Sequence, residues 1–154
     1  MNILIRVDAH SEIALGHLNR CINLAEFLNK FGHKVSFISY EDQTAKLILS
    51  KTKFDYNLIP YKINDNNKDK EFDVLKNKSN SIDLILIDSY NVDENYFECL
   101  NKFFPITAYL DDLGFEFDVD LVVNPSCKIK DGDYNAKNVA SGLPYVILGN
   151  EYKV

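Results

Sequence analysis

The chain lacks the features that mark several large classes of protein. Its 154 residues hold three cysteines, Cys21, Cys99 and Cys127. The number is odd and none are closely spaced, so neither a disulfide framework nor a Cys-x-x-Cys zinc site is indicated. They read as small buried or half-buried hydrophobes in a reducing compartment. Basic residues are outnumbered, 17 against 23 acidic, for a net charge of −6. Nucleic-acid binding needs clustered Lys and Arg, so no nucleic-acid partner is expected. No run of about 18 apolar residues occurs, and no membrane span is expected. Arg6 and Asp8 cut the N-terminal apolar run too short for a signal peptide, which makes the expected location cytoplasmic. Glycine is scarce where nucleotides are commonly held. The stretch "ALGHLN" (14–19) has a single glycine where a dinucleotide fingerprint needs Gly-x-Gly-x-x-Gly, and neither a Walker A sequence nor a Gly-x-Ser-x-Gly elbow is present. His10, His17 and His33 lack metal-ligand spacing, and neither a metal nor a cofactor is expected.

What is present is an ordinary soluble composition, 46% hydrophobic and 26% charged, in a length suited to one domain over residues 1–154 with a sizeable core. Two periodicities alternate along it. "NILIRV" (2–7), "KVSFIS" (34–39), "YNLIPY" (56–61), "IDLILID" (82–88), "ITAYL" (106–110), "DLVVN" (120–124) and "PYVIL" (144–148) are short apolar runs that predict strands. Between them Leu18, Cys21, Ile22, Ala25, Leu28 and Phe31 fall at helical spacing, with Gly32 as a stop, and helices are predicted over 43–52, about 70–78 and 93–103. Strand and helix at this rhythm predict an α/β fold: a Rossmann-like parallel sheet with helices on both faces. The near-continuous run "ILILI" needs cover on both sides.

Ligands of such sheets bind beyond the carboxyl ends of the strands, near the point where strand order reverses. Three loops there carry aspartate: Asp8 after the first strand, Asp88 after "LILI", and Asp111 with Asp112 after "TAYL". Each aspartate alone reads equally well as a loop or helix cap; three on one edge point to a polar cleft. Gly16 and His17 stand where the first helix should begin. Free backbone N–H groups point outward there, and the dipole disfavours positive charge, so a neutral imidazole able to accept a proton is expected. An ordinary helix-start histidine is the alternative on spacing alone. Gly16 would let a ligand approach the backbone. Arg20 shares a helix face with His17 and could bind a substrate oxygen or hold Asp8 across the loop. Tyr90, inside "DSYNV", would face the cleft, whereas the other tyrosines read as packing and His33 as surface.

These segments resemble a known family. "RVDAHSEIALGHLNRCINLA" is similar to the Arg-x-Asp … Gly-His-x-x-Arg-x-x-x-Leu-Ala start of the sugar-nucleotide hydrolases of pseudaminic acid biosynthesis, shared with spore-coat-polysaccharide biosynthesis proteins. "LILIDSYNVD", "AYLDDLGFEFDVDLVVNPS" and "GLPYVILGNEY" resemble later segments of that family, in order along nearly the whole chain. Ala14, Ser89 and Gly149 depart from its usual Gly, His and Arg. The resemblance implies the N-terminal half of a glycosyltransferase-B-like fold, with the C-terminal nucleotide-binding domain beyond this chain as its partner. It implies a UDP-linked diacetamido-trideoxyhexose or similar substrate, and His17 as the base that activates water for attack at the anomeric carbon while UDP leaves. Tyr90, Asp8 and Arg20 would line the sugar, with Gly16, Asp111 and Asp112 nearby. A glycosyltransferase acting on a carbohydrate acceptor and a non-catalytic binding domain remain the alternatives.

Overall fold

The computed structural model describes residues 1–9, 15–60, 68–110, 114, 116–125, 134, 136–142, 145 and 147. Their elements follow in the order β1 (Asn2–Val7), α1 (Gly16–Lys30), β2 (Lys34–Tyr40), α2 (Gln43–Leu49), β3 (Asp55–Ile59), α3 (Lys68–Ser79), β4 (Leu84–Asp88), α4 (Glu94–Leu100), β5 (Thr107–Leu110), β6 (Leu121–Asn124) and β7 (Asn138–Ser141). The strands form one seven-stranded sheet in the order β3-β2-β1-β4-β5-β6-β7. Every neighbouring pair is parallel, with Ile3 facing Val35 of β2 and Leu84 of β4. The parallel α/β sheet expected from the alternating periodicities is therefore what forms.

Strand alternation divides the core into two layers. Ile3, Ile5 and Val7 of β1 and Leu86 of β4 pack with Leu18, Cys21 and Ala25 of α1 and Ala45 and Leu49 of α2. Leu4 of β1 and Ile85 and Ile87 of β4 pack on the other face with Leu75 of α3 and Tyr96, Phe97 and Leu100 of α4. Both sides of the "ILILI" run are thus covered, as such a run requires. The second layer is aromatic: Phe97 and Phe117 stand 4.9 Å apart between centroids, and Tyr109 lies 5.2 Å from Phe117.

Local chemistry sets the helix ends. Asp42 caps α2 by accepting from the Thr44 and Ala45 amides at 2.8 and 3.2 Å, and Asp93 caps α4 through the Tyr96 amide at 2.9 Å. Lys68, at the start of α3, pairs with Asp93 at 2.7 Å; that bond, more than any other influence, holds the Asp93 carboxyl below its ordinary range. α1 stops where Gly32 takes φ +83°, a conformation that only glycine adopts without strain. The chain leaves the helical path one residue earlier, so Phe31 does not continue the buried stripe. It is 68% exposed and packs against Phe27. β7 went unforeseen, because "NVAS" is a weak edge segment whose pairing with β6 comes from tertiary register. The strand expected over 144–148 falls largely outside the described residues, and Tyr145 turns back to the Gly142 carbonyl at 3.0 Å.

Candidate functional site

β1 and β4 are neighbours, and the order reverses between them: the chain passes from β1 to β2 on one side and from β4 to β5 on the other. In an open parallel sheet this is where a crevice forms at the carboxyl edge. The Asp8 amide donates to the Asp88 carbonyl at 3.1 Å, so the two strand ends stay side by side up to their aspartates. Parity then separates the side chains. Asp88 follows Leu84 and Leu86 onto the face of α1, whereas Asp8 follows Leu4 and Arg6 onto the face of α3 and α4.

On the α1 face, Asp88 is fully buried and is met by three residues of one helix surface, His17, Arg20 and Cys21. The Arg20 guanidinium grips it bidentately, Nε to Oδ2 at 2.7 Å and Nη2 to Oδ1 at 2.6 Å. His17 Nδ1 is hydrogen-bonded to Oδ1, and the Cys21 thiol donates to Oδ2 at 3.2 Å. Burial alone would push the Asp88 carboxyl up. The Arg20 and His17 bonds outweigh it and hold the carboxyl below its ordinary range. Burial, and then the Asp88 charge, push the Cys21 thiol well up, so Cys21 is a neutral donor and no nucleophile. The spacing of Arg20 allows it a substrate oxygen or a hold on Asp8. It grips Asp88 instead, because Asp8 lies on the other side of the sheet.

The Asp88 bond orients the His17 ring. A carboxylate can only accept, so the proton of this bond sits on Nδ1, and Nε2 is the ring nitrogen turned away from Asp88. No described residue bonds Nε2. Tyr90, from the turn after β4, stands edge-on to the imidazole with centroids 4.6 Å apart and planes at 88°. Tyr90 is 41% exposed. α1 begins after Leu15, which supplies no side-chain cap to the first turn. A methyl group at Gly16 would meet nothing within 4 Å. Gly16→Ala is therefore expected to keep or slightly raise thermal stability, by up to about 1 kcal/mol, and to weaken ligand capture if a ligand uses that space. Melting curves and ligand titration of the one variant separate the two effects; a loss of stability would show that the backbone itself needs glycine.

On the opposite face Asp8 is fully buried and its oxygens are occupied. Arg6 Nη1 donates to Oδ1 at 2.6 Å, Ser89 Oγ to Oδ2 at 2.5 Å, and Asn91 Nδ2 to Oδ2 at 3.4 Å. Arg6, 1% exposed in mid-strand, also donates through Nε to Glu71 Oε1 at 2.7 Å and through Nη2 to the Tyr40 hydroxyl. Tyr40 and Tyr96 donate in turn to the two Glu71 oxygens at 3.1 and 2.7 Å. Burial works against the Arg6 charge, and the Glu71 and Asp8 carboxylates overcome it.

The structure thus brings His17, Gly16, Arg20 and Tyr90 together around Asp88. It places Asp8 beneath them without solvent contact. Asp111 and Asp112, with His10, Ala14 and Cys127, lie outside the described residues. His33 sits at the far end of the sheet beside the chain's N-terminus. Among the described residues no three of His, Cys, Asp and Glu converge as a metal-ligand set. Sequence reasoning named Asp88 only as one of four aspartates in three strand-end loops and missed that it holds His17. Parity along "LILID", combined with a crossover that puts α1 over Leu86, carried that signal. Arg6 and Glu71 were missed altogether.

No family model matches the chain, and no curated protein matches it. Among solved structures, MurG of Acinetobacter baumannii superposes with a TM-score of 0.61 over 80% of this chain, at 11% identity. The likeness is one of fold, a Rossmann-like sheet of the glycosyltransferase-B N-terminal kind. The chain spans 41% of that protein's length.

Proposed function

We propose that this chain is the base-bearing domain of a metal-independent sugar-nucleotide hydrolase. His17 Nε2 takes a proton from water as the water oxygen attacks the anomeric carbon, and the bond to the UDP oxygen breaks. Asp88 keeps the ring in the Nδ1–H form and stabilises the positive charge it gains, as the orienting acid of a catalytic triad does. Arg20 locks Asp88 in place, Tyr90 and Gly16 border the sugar, and the resemblance adds Asp111 and Asp112 as substrate-binding residues. The nucleotide would be held chiefly by a second domain. The observation that supports the reading most is the Asp88–His17 bond at the switch point, with the opposite ring nitrogen left without a described partner. Transfer to a carbohydrate acceptor is the second reading. The fold favours it equally, and it differs only in whose hydroxyl gives up the proton.

In the full-length protein, His17→Asn is expected to lower kcat by at least on the order of 10²-fold, the scale of general-base catalysis. The fold should persist, since Asn is tolerated at a helix start. Release of UDP from UDP-sugars measures it, with and without acceptor; near-wild-type turnover in a folded variant would remove His17 from the chemistry. Residues 1–154 alone are expected to show no hydrolysis and to bind UDP no tighter than about millimolar, near −4 kcal/mol. Their first loop has one glycine and so no phosphate cradle, and water is not excluded from an open half-cleft. Calorimetric titration of UDP is the check, and micromolar affinity would place the nucleotide site in this domain.

A further inference from the structure

We propose that Asp8 is a positioning residue: it clamps the turn at 89–91 so that the Tyr90 ring is held against the His17 imidazole. The inference rests on the reading of His17 as the base and assigns Asp8 a task other than touching the sugar. A group that contacts substrate needs an accessible face and a free lone pair. Asp8 has no exposure, and both of its oxygens already accept from protein donors. Those donors are informative. Ser89 and Asn91 flank Tyr90, and both point at the same oxygen, Oδ2. Ser89 Oγ also accepts from the Asn91 amide at 3.0 Å, which closes the turn on itself. The Ser89 carbonyl is fixed by the Tyr109 hydroxyl at 3.2 Å. The backbone on either side of Tyr90 sets the direction in which its side chain leaves the turn, and both flanking residues are held by one carboxylate.

The clamp is itself anchored. Asp8 is bonded to Arg6, whose remaining N–H groups go to Glu71 of α3 and Tyr40 of β2, while Tyr96 of α4 closes the cluster on Glu71. Two helices on the far face of the sheet and the neighbouring strand β2 therefore fix the carboxylate that fixes the turn. Position passes through the sheet, from the α3 and α4 side to the imidazole on the α1 side, by the two oxygens of one residue at the end of β1. Asn in place of Asp8 would turn an N–H pair toward either Arg6 or the Ser89–Asn91 donors and so break one half of the clamp.

The test reads the His17 ring and not turnover, so it stands apart from any failure of the functional assignment. The carbon-bound ring protons of His17 carry the ring-current shift of Tyr90, and Tyr90→Leu defines the full size of that shift by NMR. Asp8→Asn and Ser89→Ala are each expected to move the His17 resonances most of the way to their Tyr90→Leu positions. Adding Tyr90→Leu to either variant should then produce little further change, and Ser89→Thr, which keeps the hydroxyl, should retain the wild-type positions. A residue of purely structural importance would lower the melting temperature and leave the resonances in place. Either folded variant with His17 resonances at wild-type positions overturns the proposal, as does a shift that adds fully to that of Tyr90→Leu. Should Asp8→Asn not fold, the contrast between Ser89→Ala and Ser89→Thr decides.

Discussion

Asp88→Asn is expected, on the proposed reading of His17 as a general base, to reduce kcat of the full-length protein by between about 10² and 10⁴, as much as or more than loss of the base itself. Asn has one acceptor oxygen where the carboxylate has two, and its amide nitrogen can only donate. Facing His17 Nδ1, that amide favours the tautomer with the proton on Nε2, which presents a donor to the water where a base is needed. The same substitution takes one of its two Asp88 acceptors and the opposite charge from Arg20, whose side chain is only 17% exposed, and breaks the bidentate pair. With partial access to solvent, this is expected to cost about 2 kcal/mol, below the range for fully buried pairs. The pH dependence follows from the direction of the shift. Asp88 titrates below its ordinary value of 3.8 in the folded chain, so its contribution is complete above that pH and is lost as pH falls through the lower folded value. Asn carries no such proton, and the stability gap between wild type and Asp88→Asn should narrow as pH drops below 3.8. Steady-state kinetics with acid and thermal melts would measure both effects. Turnover within a few-fold of wild type, or a gap that widens in acid, would contradict this account of Asp88.

Glu71→Gln is expected to be the most destabilising isosteric change in the described core, by about 3 kcal/mol, or on the order of 10 °C in melting temperature for a domain of this size. Glu71 accepts from Arg6, Tyr40 and Tyr96, with Arg6 on both of its oxygens. Gln offers one oxygen and turns an amide toward donors that need acceptors, leaving polar groups unpaired out of reach of water. Arg6 keeps Asp8 as a counter-charge, which is why the loss should fall at the lower end of the range for broken buried pairs. The Tyr96 hydroxyl supplies a second readout. Burial first, and then the Glu71 charge, hold its ionisation well above the ordinary range. In the variant, Tyr96 should lose a proton more readily. A loss under about 1 kcal/mol with unchanged Tyr96 ionisation would mean that the cluster is not ionised as described.

The difference between Asp88 and Glu71 shows where legibility ends. "LILID" announces a buried strand that finishes in an acid, and that pattern places Asp88 at the carboxyl edge without any coordinates. Glu71 sits in "KDKEFDVLKNKS", where three acids and four lysines within helical reach read as a solvated surface. Nothing in that pattern singles out the one acid that turns inward. Phe31 failed in the opposite sense: it continued an apolar stripe in the sequence, and the chain left the helix before reaching it.

The sequence by itself determined the parallel sheet, the helix that begins at Gly16 and His17, and the edge on which the aspartates gather. These follow from local periodicity and from stop signals such as Gly32, which act over a few residues and need no distant partner. Only the tertiary structure decided which aspartate meets which cation. Asp8 and Asp88 look alike as strand ends, yet side chains alternate across a strand, and the two residues occupy opposite parities. Asp88 therefore meets Arg20 and His17 above the sheet while Asp8 meets Arg6 below it. That choice depends on which helices cover which face, a property of the crossovers between strands far apart in the chain.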